Sequence, residues 1–259
     1  MTTWNPADKS ANVTLSNGNL TAIGSTTADG AVRSSNSQSS GSKVYFEVSW
    51  VTATGTADTG CGIATSSAAL GSIGSSSTGG LMVYTATGNI WFNGSSLSLS
   101  VGQVGTRSIC FAVDLVNSQI WVRRDSDNWN NSGTANPSTN TGGINISALF
   151  PTNNAFAVAT FQGTTQQATI NFGASAFSFT VPSGFSRWDA LVATAINNAG
   201  EPREVLFTTN AAATLAGVVR EVLTTTPTAL TFSGVAREVL LLSPPVTSVW
   251  QTAVAVNTG

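Results

Sequence analysis

The chain of 259 residues carries ten Lys and Arg against twelve Asp and Glu, a net charge of -2, and only 8% charged residues where about 25% is ordinary. With 41% apolar residues it folds; its solubility rests on Ser, Thr, Asn and Gly, and no basic patch stands ready for a nucleic acid. It has no histidine, which removes the commonest general base and the commonest metal ligand.

The opening MTTWNPADKS has neither a basic start nor an apolar run, so no signal peptide is expected. No apolar stretch is long enough to span a bilayer. KVYFEVSW then alternates and is rich in β-branched and aromatic residues, the pattern of a strand. CGIATSS, LMVYTATG, NIWFNG, SICFAVDL, QIWVRRD, FAVATFQ, ATINFG and FSFTVP follow in the same style. Turn formers separate them at Ser16-Asn17-Gly18, Gly79-Gly80, Asn93-Gly94 and Gly142-Gly143. No stretch keeps a helical period, so the class expected is all-β, an antiparallel β-sandwich. Cys61 and Cys110 lie inside strand patterns with no metal-like spacing and are read as buried thiols, a disulfide between them being the other possibility. Sequons at Asn12, Asn93 and Asn145 carry little weight in so Asn-, Ser- and Thr-rich a chain.

Around Trp188 the texture changes, and DALVATAINNAG leads into repeats; two parts are expected, residues 1–189 and 190–259. GEPREVL, GVVREVL and GVAREVL recur with a period of 17, giving repeats 200–216, 217–233 and 234–250. Ten residues past each glycine lies a turn former, Asn210, Pro227 or Pro244, so a unit reads as a strand, a turn and a second short strand. Such a unit is too small to bury its own apolar face and needs the next repeat, the sandwich or another chain.

On a strand, Arg and Val of Arg-Glu-Val-Leu share one face and Glu and Leu the other. A parallel in-register stack would align Arg203, Arg220 and Arg237, and like charges placed opposite are destabilising. That disfavours a simple solenoid and directs the arginines toward Glu204, Glu221 and Glu238 of a neighbouring chain or an offset strand; the plainer alternative leaves all six solvated. In the assembly reading Leu206, Leu223 and Leu240 supply the adhesion and the Arg–Glu pairs set the register.

Catalytic chemistry finds little support. Asp125 and Asp127 form a close acidic pair of the kind glycosidases use, but their i, i+2 spacing at a hairpin tip is more simply a solvated turn. Asp114 ends a strand before a turn. No histidine or suitable lysine stands beside a Ser or Thr nucleophile, and Lys43 leads into a strand, not into the helix of a phosphate-binding loop. Trp129, flanked by Asn128, Asn130 and Asn131, could stack on a sugar or could pack over the sandwich edge; Trp50, Trp91 and Trp121 read as core.

Several segments between residues 3 and 187 resemble the SPRY domain in its bacterial and phage form: TWNPADKSANVTLSNGNLTAIG, then VRSSNSQSSGSKVYFEVSW with its GSKVYFEV strand, CGIAT, SICFAVDLVNSQIWVRRDSDNW, NNSGTANPSTNTGG and INFGASAFSFTVPSGF, in the family's order. The resemblance implies a bent β-sandwich whose loops bind partners, without catalysis. Where family members commonly have Asn-Gly in a hairpin, this chain has RRDSDNW, so no family ligand carries over. The altered loop supplies the candidate ligand residues Arg123, Arg124, Asp125, Asp127, Asn128, Trp129 and Asn130. The repeats are similar to short C-terminal repeats on phage structural proteins. Together these resemblances imply a virion protein, assembled in the host cytoplasm: a head fibre, capsid decoration or tail-fibre component, partnered by its own copies, other particle proteins and a host surface glycan. No cofactor, metal, nucleic acid or membrane insertion is expected. The alternative is a free carbohydrate-binding or adhesin module.

Overall fold

The structure, a computed structural model, describes residues 1–52, 58–71, 73, 78–150 and 152–189, and the backbone of strands 203–207, 213–216, 219–224, 230–233 and 239–241. The chain forms two compact units, Met1–Asp189 and Ala190–Gly259.

In the first unit the strands are β1 (Trp4–Lys9), β2 (Val13–Ser16), β3 (Thr21–Gly24), β4 (Gly30–Ser34), β5 (Lys43–Thr52), β6 (Gly60–Ala64), β7 (Gly80–Tyr84), β8 (Asn89–Phe92), β9 (Ser95–Ser100), β10 (Ser108–Asp114), β11 (Gln119–Arg124), β12 (Ile144–Asn145), β13 (Phe156–Phe161), β14 (Gln167–Asn171) and β15 (Ser186–Arg187). One antiparallel sheet runs β1-β4-β13-β6-β7-β8-β9; the other runs β12-β11-β10-β5-β14-β3-β2, with β15 added in parallel beside β5. The architecture is the all-β sandwich expected from the strand pattern.

Alternation along the strands builds the core. Val44, Phe46, Val48 and Trp50 of β5, Ile109, Phe111 and Val113 of β10, and Ile120 and Val122 of β11 meet Cys61, Ile63, Leu81 and Val83 between the sheets. Phe46 stacks on Phe111 at 4.7 Å, and Trp188 closes the same cluster edge-on to Phe46. The intervening residues point outward, yet both outer faces are covered. Ala31, Ala64, Ala68, Met82, Tyr84 and Val158 form a second cluster on one, and Tyr45, Cys110, Ala112, Trp121 and Trp129 a third on the other. Gly62 has a packing reason: a Cβ there would collide with the Leu81 carbonyl of the adjacent strand. At Asn93-Gly94, φ of 49° and 81° makes the two-residue turn that joins β8 to β9.

FSFTVP is not a strand of either sheet. The amides of Ser178 and Phe179 donate to the Glu47 carboxylate, 2.9 Å each, so these donors go to a side chain and not to a ladder. Cys61 and Cys110 are free and buried. Trp50 and Trp121 are core; Trp91 is half-buried against Tyr84.

In the second unit, β16 (Arg203–Phe207), β18 (Val219–Thr224) and β20 (Val239–Leu241) lie side by side in parallel, as do β17 (Ala213–Ala216) and β19 (Leu230–Ser233). Val205 faces Val222 and Val222 faces Val239; Leu206, Leu223 and Leu240 form the next row; Ala213 faces Leu230. Each step is one 17-residue repeat. This is the in-register parallel stack that charge repulsion argued against. At one irregularity Arg203 faces Val219, so Arg220 is the extra residue of a bulge and is not set directly opposite Arg203; Glu204 does face Glu221, so like charges sit opposite each other in this register all the same. Arg237 and Glu238 fall outside the described residues.

Candidate functional site

β11 ends in Arg123 and Arg124, and the loop that follows crosses the outer face of its own sheet. Asp125 (φ 49°) turns the chain, its carboxylate accepting from Ser108 N at 3.0 Å and standing 3.5 Å from Arg107. Arg124 holds Asp127 at 2.8 Å and donates to the Gln103 carbonyl at 2.8 Å. Ser126, Asp127 and Asn128 form an exposed tip, after which a single 3-10 turn, Trp129–Asn131, brings Trp129 and Asn130 down onto the sheet.

The two readings of Trp129 are separated by its surroundings. It is 9% exposed and packs with Tyr45, Cys110, Ala112 and Trp121, while the Arg123 guanidinium sits 4.3 Å from its ring centroid. The ring face is thus already covered by a cation. Asn130, 7% exposed, is a structural clamp: its Oδ1 accepts from Val122 N at 2.9 Å, and its Nδ2 donates to the Gly142 carbonyl at 2.8 Å. β12 pairs with β11 only at Gln119 and Ile120, so Asn130 satisfies an edge amide further along that strand. Trp121 Nε1 donates to the Thr141 carbonyl at 2.7 Å and pins the far end of the loop.

Residues 173–187 cover the rest of this face. Glu47, 2% exposed, accepts from Tyr45 Oη at 2.8 Å as well as from the amides of Ser178 and Phe179. Phe177 stands edge-on to Tyr45 and Phe185 edge-on to Trp121, while Arg123 donates to the Thr180 carbonyl at 3.1 Å. Burial, with Cys110 and Glu47 alongside, pushes the Tyr45 phenol far above its ordinary value. Burial pushes the Cys110 thiol up to about 11 and the Cys61 thiol up to about 12.

The candidate residues thus divide. Arg124, Asp125, Asp127 and Asn128 gather at the loop tip; Arg123, Trp129 and Asn130 fasten the loop to the sheet. Both thiols are neutral at ordinary pH and are no ready nucleophiles. Asp125 and Asp127 are each engaged by a neighbouring arginine. Asp114, whose side chain is 0% exposed, bonds Lys43 at 2.8 Å and caps its turn through Val116 N, Asn117 N and the Asn117 side chain. Among the described residues no group of three His, Cys, Asp or Glu could hold a metal, and no helix is long and apolar enough to cross a membrane. Glu47 was missed as a hub by sequence reasoning. Its signal is a lone carboxylate in a strand where Tyr45 shares its face, because a charge placed there must be bonded.

No family model and no curated protein matches the chain. Solved structures do. The SPRY domain of human HERC1 superposes with a TM-score of 0.53 at 11% identity, covering 67% of this chain and 99% of that one. The first unit has the SPRY fold. Other similar structures are a human SPRY domain (TM-score 0.49, 15% identity, 65% of this chain and 99% of that one) and the PSpry domain of TRIM65 (0.47, 14%, 66% and 91%).

Proposed function

We propose that this protein is a non-enzymatic structural component of a phage or phage-like particle, a head fibre, capsid decoration or tail-fibre part, which displays its SPRY unit and is held by its repeats. The observation that carries this reading is the contrast between the two units. One is an antiparallel sandwich with covered outer faces and a polar loop tip; the other is a parallel stack of near-identical rungs, an architecture that grows by adding units. Binding falls to the exposed rim at Ser126, Asp127 and Asn128, whose hydroxyl, carboxylate and amide groups suit a host surface glycan. Trp129 supports that rim from beneath. The absence of a free nucleophile–base pair among the groups described above supports a binding role over a catalytic one.

Mass spectrometry of purified particles from producing cells tests the reading. The protein is expected in fixed proportion to capsid or tail proteins. A protein that stays out of particles, sediments as a monomer and binds a glycan by itself would instead be a free adhesin module.

A further inference from the structure

Resting on the assembly reading, we propose that the edge of β20 that has no neighbour among the described residues is completed by a second copy of this chain, whose β16 adds to it in parallel and in the same register. Within one chain a rung already accepts a rung of its own pattern twice, β18 on β16 and β20 on β18, with the valines in one row and the leucines in the next. An edge built this way is a template for its own sequence, because the backbone donors, acceptors and row positions repeat.

Two features of the sequence place the occupant in another chain. The pattern stops after the third repeat: residues 254–257, one period beyond Arg237–Leu240, read Val-Ala-Val-Asn. Among the described residues β20 accordingly has a neighbour on one side only. Repeat arrays that end in water close with a polar cap. Here the last rung does not turn polar, for the row Phe207–Thr224–Leu241 ends on a leucine. That is the composition of a seat for another rung. Since the rungs are parallel, the β20 edge meets the opposite edge of the next copy, so the contact is heterologous and Leu240 falls opposite Leu206 of that copy.

Cysteine cross-linking reads this directly, since Cys61 and Cys110 are buried. Full-length Leu206→Cys and Leu240→Cys chains, differently tagged, are mixed and mildly oxidised. A reducible heterodimer is expected in the mixture and in neither variant alone. No cross-link, or a Leu240→Cys homodimer, overturns the proposal. Leu241→Asp, which gives the last rung a charged end, is expected to abolish the heterodimer when added to the Leu240→Cys chain, with the sandwich circular dichroism unchanged; an undiminished heterodimer also overturns it. A heterodimer from a protein absent from purified particles removes the particle reading and leaves this contact standing. Particle incorporation without the heterodimer does the reverse.

Discussion

Both oxygens of Glu47 are occupied: Oε1 accepts from Tyr45 Oη and Phe179 N, and Oε2 from Ser178 N. Glu47→Gln keeps the shape but turns one acceptor into a donor that faces an N–H. Hydrogen bonds to charged groups contribute about 1.5–3 kcal/mol each, and losing one at this 2%-exposed site should lower stability by a similar amount. Urea unfolding checks this through a lower midpoint at unchanged slope. Asp114 gives the pH dependence. Burial raises its pKa, but the bonds from Lys43 and Asn117 outweigh that and hold it below the ordinary 3.8. A carboxyl with a depressed folded pKa contributes stability that is present above the unfolded pKa and lost as pH falls through the folded one. Asp114→Asn should therefore be less stable near neutrality, with the deficit shrinking as the pH falls below the ordinary 3.8 toward and through the depressed folded pKa. Thermal melts across that range check it, and curves that stay parallel would contradict it. Such roles are only half legible in sequence. Asp114 before its turn is a familiar signal, whereas Glu47 needs knowledge of what covers its face.

The elements read from alternation, such as Lys43–Thr52 and Ser108–Asp114, formed because β-branched and aromatic residues fall on one face of each. Those missed lack that signal. β1 contains Pro6, tolerable because the strand lies at the sheet edge and shifts register between Trp4 and Lys9. Ser95–Ser100 is mostly serine and is carried by the Asn93-Gly94 turn before it. FSFTVP fails as a strand because a carboxylate takes its amides, which no local pattern encodes. The 123–131 loop was legible as unusual, but its interior was not. Trp129→Ala should remove a buried ring and its Arg123 contact at a cost of about 3–5 kcal/mol. Asp127→Ala with Asn128→Ala, at the exposed tip, should leave the free energy of unfolding within about 0.5 kcal/mol of wild type and abolish glycan or host-cell binding. Retained binding in that double variant, with its fold intact, would move the ligand site off the loop.

Taken whole, the chain joins an antiparallel unit to a parallel one. The sandwich is fastened at its ends: Thr2 donates twice to Asp189 at 2.9 Å, Trp188 is 1% exposed in the core, and Gln38 binds the Trp188 carbonyl at 2.8 Å. Residues 1–189 should consequently fold alone, with a β-type circular dichroism spectrum and a cooperative melt; a helical or unfolded spectrum would contradict this. The repeat period was plain in the sequence, but its parallel register was not: like charges argued against it, yet the rungs pair with Glu204 opposite Glu221, so the match of one rung to the next outweighs that repulsion. Sedimentation velocity on the full chain beside residues 1–189 tests the central claim, that the repeats assemble and the SPRY unit is displayed. The full chain should sediment as a concentration-dependent oligomer and the truncated chain as a monomer. A monomeric full chain, or an oligomer that survives removal of the repeats, would contradict it.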